Sequence, residues 1–299
     1  MKKKRTMAQK RTREGYSFIL PGFIYMIVVL GYPLVYNVIL SFENVNVKTF
    51  ASKAYTFIGF QNYVDLFHNA TFLLVLKNTF VFTFYCLLFQ FSIGFIMALF
   101  FSKKFTLAGP IRGMILVAYM MPMSVTALLG KNMFDKSSGV VNDLLMKTHI
   151  ISAPVDWLLQ PNTAMAAVIA MNCWVGIPFN MLLLTSGLTN ISNDVLEAAE
   201  VDGANHWQRF WKVTFPLLKP AIMAVLMLGF IYTFKAFDLM FIMTSGGPLN
   251  STDVLGTYAY DLSFKQYEFS KGSATAMVLF LILLVIGFFY LRMVATEDD

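Results

Sequence analysis

Few residues in this chain could do chemistry, and most of them lie inside apolar runs. Asn172, Gly176 and Phe179 stand at i, i+4 and i+7, on one face of a helix. Tyr119 lies just before Pro122, and Thr233 sits in a later apolar run. Hydrogen-bonding groups beside aromatic faces are what hold a hydroxyl-bearing ring. The same polar groups also join helix to helix in a membrane. Lys235 and Asp238 are the only charges of their run, at i and i+3. Charges in such runs are costly and usually paired. They form either a pair lining a cavity or a self-compensated pair near the outer interface, with Lys235 snorkelling.

Covalent and metal chemistry find no constellation. The chain has no H-E-x-x-H, no facing aspartates and no G-x-x-x-x-G-K-[ST] phosphate loop. His68, His149 and His206 are isolated. Cys86 and Cys173 fall inside apolar runs without ligand spacing, as small packing residues do. An intramembrane enzyme and a metal site are therefore not expected.

The elements that position these residues are membrane helices. The chain has 299 residues, 57% hydrophobic and 13% charged, where a soluble domain carries about 25% charged residues. Six apolar runs recur, at 18–40, 79–101, 114–133, 164–184, 220–243 and 274–294. At about 1.5 Å per residue each reaches across about 30 Å of hydrocarbon. Lipid offers no partner to a free N–H or C=O, so the runs read as helices. The expected domains are a basic segment 1–17, one membrane domain 18–294 and a tail 295–299. The first run is too long for a signal peptide and lacks a small-x-small cleavage site, which predicts an uncleaved first helix.

Charge sets the expected orientation. Lys2, Lys3, Lys4, Arg5, Lys10, Arg11 and Arg13 precede run one. Lys103, Lys104, Arg112, Arg209, Lys212, Lys219 and Arg292 fall on the same side. Fewer lie opposite, spread over longer loops. The positive-inside rule puts both termini in the cytoplasm, and the basic start needs no nucleic acid to explain it. Pro33 is expected to kink or end its helix, and Pro122 to break run three. Residues 57–63 read as a short surface helix or a hairpin, and 139–145 as a short amphipathic helix on the outer surface. There is no internal repeat and no chain of titratable residues, features a standalone secondary transporter would favour.

The polar stretch 185–219 interrupts this pattern. Asp194 with Glu197, and Asn205 with Gln208, have capping-pair spacing. Gly203 supplies a turn between two short helices. Trp207, Phe210 and Trp211 share one face of the second helix. Pro216 is expected to stop it and Pro220 to open the next run. Such a hairpin either rests on lipid headgroups with Trp anchors or serves as a docking element.

Glu197-Ala-Ala199 followed by Asp202-Gly-Ala204, then Trp-Gln-x-Phe, then Val-Thr-Phe-Pro-Leu-Leu-x-Pro220, resembles the "EAA" loop of the membrane subunits of ATP-binding-cassette importers. The segment 237–252 and Leu20-Pro-Gly22 look like the carbohydrate branch, the maltose-permease first-subunit type. The likeness runs from Tyr16 onward. It implies an all-α polytopic membrane protein with six transmembrane helices, the type I importer permease fold, both termini cytoplasmic, in a bacterial plasma membrane. It makes the loop a coupling helix, with Glu197, Ala198, Ala199, Asp202, Gly203 and Ala204 fitting a cleft in a cytoplasmic ATPase dimer. It also implies a second permease, an extracellular sugar-binding lipoprotein or periplasmic protein, and a carbohydrate substrate. ATP and Mg are then bound by the ATPase subunits, and this chain binds no cofactor. Loops 41–77, 134–163 and 244–272 become the binding-protein surface.

Matched residue by residue, the resemblance places the substrate path at Tyr119, Met123, Asn172, Val175, Gly176, Phe179 and Thr233. Met123 stands where relatives can carry a hydroxyl, so the hydrogen-bond set differs from that for maltose. Ser245-Gly-Gly247 resembles part of an ATPase signature, but the expected topology puts it outside the cell. The competing expectations are an importer permease for a non-sugar solute and an ion-coupled transporter.

Overall fold

A computed structural model describes residues 7–103 and 105–295, with side chains over 15–103 and 105–293. Lys2, Lys3, Lys4, Arg5, Lys104 and residues 296–299 lie outside the described residues, as do the side chains of Lys10, Arg11 and Arg13.

The first apolar run forms α1 (Met7–Met26) and α2 (Tyr32–Ser41), joined by a π-helical turn over Ile27–Gly31. Pro33 does not end the helix. It has no N–H to give, and the widened turn absorbs this: Tyr32 N–H reaches back to the Ile27 carbonyl. Two short helices follow, α3 (Val47–Ser52) and α4 (Gln61–His68), with an isolated bridge between Glu43 and Phe57. The second run is α5 (Ala70–Phe101), capped by the Asn69 side chain. Run three is broken. α6 (Ala108–Met120) and α7 (Met123–Met133) meet at 94° across Met121 and Pro122. The residue before a proline is pushed to extended backbone, and Met121 sits at ψ 133°.

α8 (Val140–Lys147) forms where a short helix is expected at 139–145, and α9 (Pro161–Thr189), the fourth span, follows. The polar stretch holds α10 (Asn193–Val201) and α11 (His206–Arg209). Run five departs from expectation at both ends. Pro216 and Pro220 break nothing: a π-helical turn over Phe210–Thr214 carries α11 into α12 (Phe215–Phe234). At the other end α12 stops at Phe234, and 238–243 is a separate helix, α13 (Asp238–Met243). Its Leu239, Met240 and Met243 are buried with Ala127 and Met171, so it caps the bundle rather than extending the span. α14 (Leu255–Tyr260) and a π-helical turn over Asp261–Lys265 lead to the last span, α15 (Phe269–Ala295).

Among the described residues five helices are long and apolar enough to cross a membrane, and the bent α6–α7 pair makes six if it counts as one span. α5 and α9 form the centre. Phe82, Cys86, Val168 and Met171 pack at one level, and Ala98, Leu184 and Leu218 pack at another. Cys86 and Cys173 are both buried, the Cys173 thiol 3.9 Å from the Cys86 carbonyl. Along α1 and the π-helical turn after it every side chain from Tyr16 to Leu30 is exposed.

Candidate functional site

α9 presents Asn172, Val175, Gly176 and Phe179 on one face, and that face opens on a cavity of about 290 Å³. The α6–α7 break contributes the other expected residues: Tyr119 ends one helix and Met123 begins the next, so both turn toward the same space. Thr233 arrives from the last turn of α12. All seven positions read from the sequence thus line one cavity. Sequence reasoning missed three more: Gln90 on α5, and Gly229 and Tyr232 on α12.

Gln90 organises the floor. Its amide N–H donates to the Asn172 side-chain oxygen at 2.6 Å and to the Asn172 backbone carbonyl at 3.3 Å. Asn172 therefore does bond helix to helix, as one of its two expected roles required. Its own amide nitrogen has no protein partner among the described residues. Gly176 makes the crossing possible: a Cβ there would fall 2.2 Å from Gln90 Cδ.

The walls are aromatic. Tyr119 stacks on Phe179 with ring centroids 5.4 Å apart and planes 26° from parallel. Phe179 meets Tyr232 edge-on at 6.2 Å. The hydroxyls of Tyr119, Tyr232 and Thr233 have no protein partner among the described residues. Thr233 is buried, while Tyr119 and Tyr232 are 45% and 58% exposed, so the cavity is walled by this chain on one side only.

Lys235 and Asp238 do not pair. Lys235 is the residue that ends α12, and Asp238 begins α13 after the chain turns at Phe237, so the i, i+3 spacing no longer brings them together. The Lys235 ammonium lies 5.3 Å from the Tyr232 ring instead. This replaces the self-compensated pair with a cation–π contact at the rim of the cavity.

The polar loop is an ordered corner. Ser192, not Asp194, caps α10, accepting from the Asp194 N–H at 3.2 Å. Ser192 is the residue in extended backbone at the helix start, and its short hydroxyl reaches back there. The Asn205–Gln208 capping box is present, with bonds of 2.8 and 3.0 Å. Gly203 adopts φ +83°. Ala204 N–H then reaches the Ala199 carbonyl, and Gly203 N–H the Glu200 carbonyl, each at 3.0 Å. That is a Schellman closure, available because glycine has no Cβ to penalise positive φ. A Glu200–Arg209 ion pair at 2.7 Å ties α10 to α11. Glu197, Ala198, Asp202 and Gly203 are exposed; Ala199 and Ala204 are half-buried. Val201 and Trp207 stand uncovered beside them, 87% and 71% exposed. Trp207 meets Trp211 at 5.7 Å and Trp211 meets Phe210 at 5.1 Å, so the three expected aromatics stay in contact, and Phe210 also packs on Phe95 at 6.2 Å.

A polytopic helical core, a one-sided polar and aromatic cavity among its spans, and a braced polar corner at one end define a membrane transport subunit. The chain belongs to the family of binding-protein-dependent transport system inner membrane components, matching it over residues 90–295. It is 31% identical to the sulfoquinovosyl glycerol transport system permease protein SmoG of Agrobacterium fabrum, over 94% of this chain and 90% of that one. It is 30% identical to the diacetylchitobiose uptake system permease protein DasB of Streptomyces coelicolor, over 98% and 92% of the two chains. In fold it is similar to a chain of a bacterial ABC transporter involved in the import of the acidic polysaccharide alginate, with TM-score 0.81, 24% identity, and coverage of 97% and 98%.

Proposed function

We propose that this chain is the path-forming membrane subunit of an ATP-driven importer for a carbohydrate. The observation that carries the reading is the cavity. Tyr119, Met123, Asn172, Val175, Gly176, Phe179 and Thr233 surround one space that offers stacking faces and unpaired hydrogen-bonding tips, the combination a sugar ring needs. Relatives named for sulfoquinovosyl glycerol and diacetylchitobiose transport favour the same class.

The open side of the cavity is closed by a second, homologous permease in this reading. The corner at Glu197, Ala198, Ala199, Asp202, Gly203 and Ala204 faces the cytoplasm with both termini. It seats in an ATPase dimer that binds the ATP and Mg, while this chain binds no cofactor and catalyses no reaction. A sugar-binding protein docks on the opposite face. Exposed Ala198 and Gly203 support the seating because small residues allow another surface to approach closely.

The test is uptake of a panel of radiolabelled oligosaccharides into vesicles holding this chain with its co-purified partners. ATP-dependent accumulation of at least one sugar is expected, with loss on substitution of Asn172 or Phe179 by alanine. Transport that runs on an ion gradient with no ATPase bound overturns the proposal.

A further inference from the structure

We propose that the α5–α6–α9 face of this chain holds an anionic phospholipid, its phosphate between Lys103 and Arg112 and an acyl chain beside Trp174. Two concavities lie end to end there. One, of about 580 Å³, is lined by Ser102, Lys103, Thr106, Arg112 and Thr189 among others. The other, of about 480 Å³, is an apolar groove whose walls include Met97, Met114, Ile115, Trp174 and Ile177. They share a seam. Met97 and Phe101 are one turn apart on α5, Ala108 and Ile115 lie on α6, and these four pack in one cluster.

Charge is unbalanced at the polar end only. No Asp or Glu occurs from Leu66 to Phe134, and none lines the basic concavity. Arg112 spends its Nε–H on the Ala108 carbonyl at a long 3.4 Å. Its remaining guanidinium donors and the Lys103 ammonium meet no protein acceptor among the described residues. A soluble anion satisfies the basic end and leaves the groove bare. A neutral apolar helix fills the groove and leaves two cations facing it. An amphiphile with one negative head matches both, at the level where α5 leaves the hydrocarbon. Basic pockets between spans at a membrane surface recognise anionic headgroups in this way.

Trp174 is a reporter already in place, 57% exposed in the groove. The full chain is placed in phosphatidylcholine nanodiscs with increasing brominated-chain phosphatidylglycerol, or with brominated-chain phosphatidylcholine as control. The Trp174 signal is the difference between this chain and Trp174→Phe. Half-quenching is expected at an about fivefold or more lower fraction of brominated phosphatidylglycerol than of brominated phosphatidylcholine. Lys103→Gln with Arg112→Gln should erase that difference while leaving quenching by phosphatidylcholine unchanged, and Lys103→Arg should keep it. Equal quenching by both lipids overturns the proposal, as does a preference that survives the double substitution. Absence of quenching by either lipid also overturns it, since the groove is then filled by protein.

Discussion

Gly176 is a single hydrogen where any other residue carries a carbon, and the Gln90 amide occupies the space that carbon would take. Gly176→Ala must push Gln90 aside and break its bonds to Asn172. Overpacking of this kind costs about 1–3 kcal/mol. The expected result is a lower thermal midpoint and an about tenfold loss of uptake, with partial recovery in Gly176→Ala, Gln90→Ala. Failure of the second change to restore either quantity refutes the packing account. Asp253, outside the spans, makes a different residue-scale point. It is 3% exposed, receives the Thr257 hydroxyl, and its carboxyl lies where a Cβ on Gly246 would come within 3.0 Å. Burial first, and the Asp261 carboxylate further, lift its pKa from 3.8 to about 6. Between those values the unfolded chain has lost the proton that the folded chain keeps, so stability falls as pH rises and the loss is complete above about pH 6. The shift corresponds to about 3 kcal/mol. Asp253→Asn keeps an oxygen for Thr257 and removes the charge. It should raise the thermal midpoint at neutral pH, with the gain vanishing below about pH 4. A pH-independent difference refutes the assignment.

At the scale of elements, the corner between α10 and α11 is set by Gly203 at φ +83°. Gly203→Asp places a side chain in left-handed backbone, at a cost of about 1–2 kcal/mol, and adds a negative charge where the proposed ATPase seats. The expected outcome is normal membrane insertion, retained ATP hydrolysis by the assembled complex, and lost uptake. Retained uptake argues against a coupling role. How much of this was legible beforehand depended on whether the signal was local. The spans were readable because run length is enforced by lipid thickness, and the Asn205–Gln208 box because its two bonds need only sequence spacing. Run five was misread at both ends. Proline at 216 and 220 signals a break locally, yet the π-helical turn before Pro216 removes the conflict without ending the helix. The stop at Phe234 carries no breaker residue; packing of Leu239 and Met240 under α7 decides it. Gln90 was missed because a lone glutamine in an apolar run has no spacing partner. Its partner is Asn172, 82 residues away.

For the whole molecule, the unequal charge of the loops predicts an orientation that labelling tests directly. Cys86 and Cys173 are buried, so they give a quiet background. Asn193→Cys and Ser137→Cys both place a thiol at an exposed position. An impermeant maleimide should reach position 193 only in inside-out vesicles and position 137 only in right-side-out cells. The reverse pattern refutes cytoplasmic termini. The uninterrupted helix His206–Phe234 gives that orientation a mechanical meaning. Its 29 residues span about 40 Å, with Arg209 salt-bridged to α10 at one end and Tyr232 and Thr233 at the cavity wall at the other. A hinge at Pro216 would have isolated the two ends. Without one, the proposed coupling can use the helix as a connecting rod: a tilt imposed at its foot would displace the ring and hydroxyl at its head, with no intermediate residue needed to relay the signal.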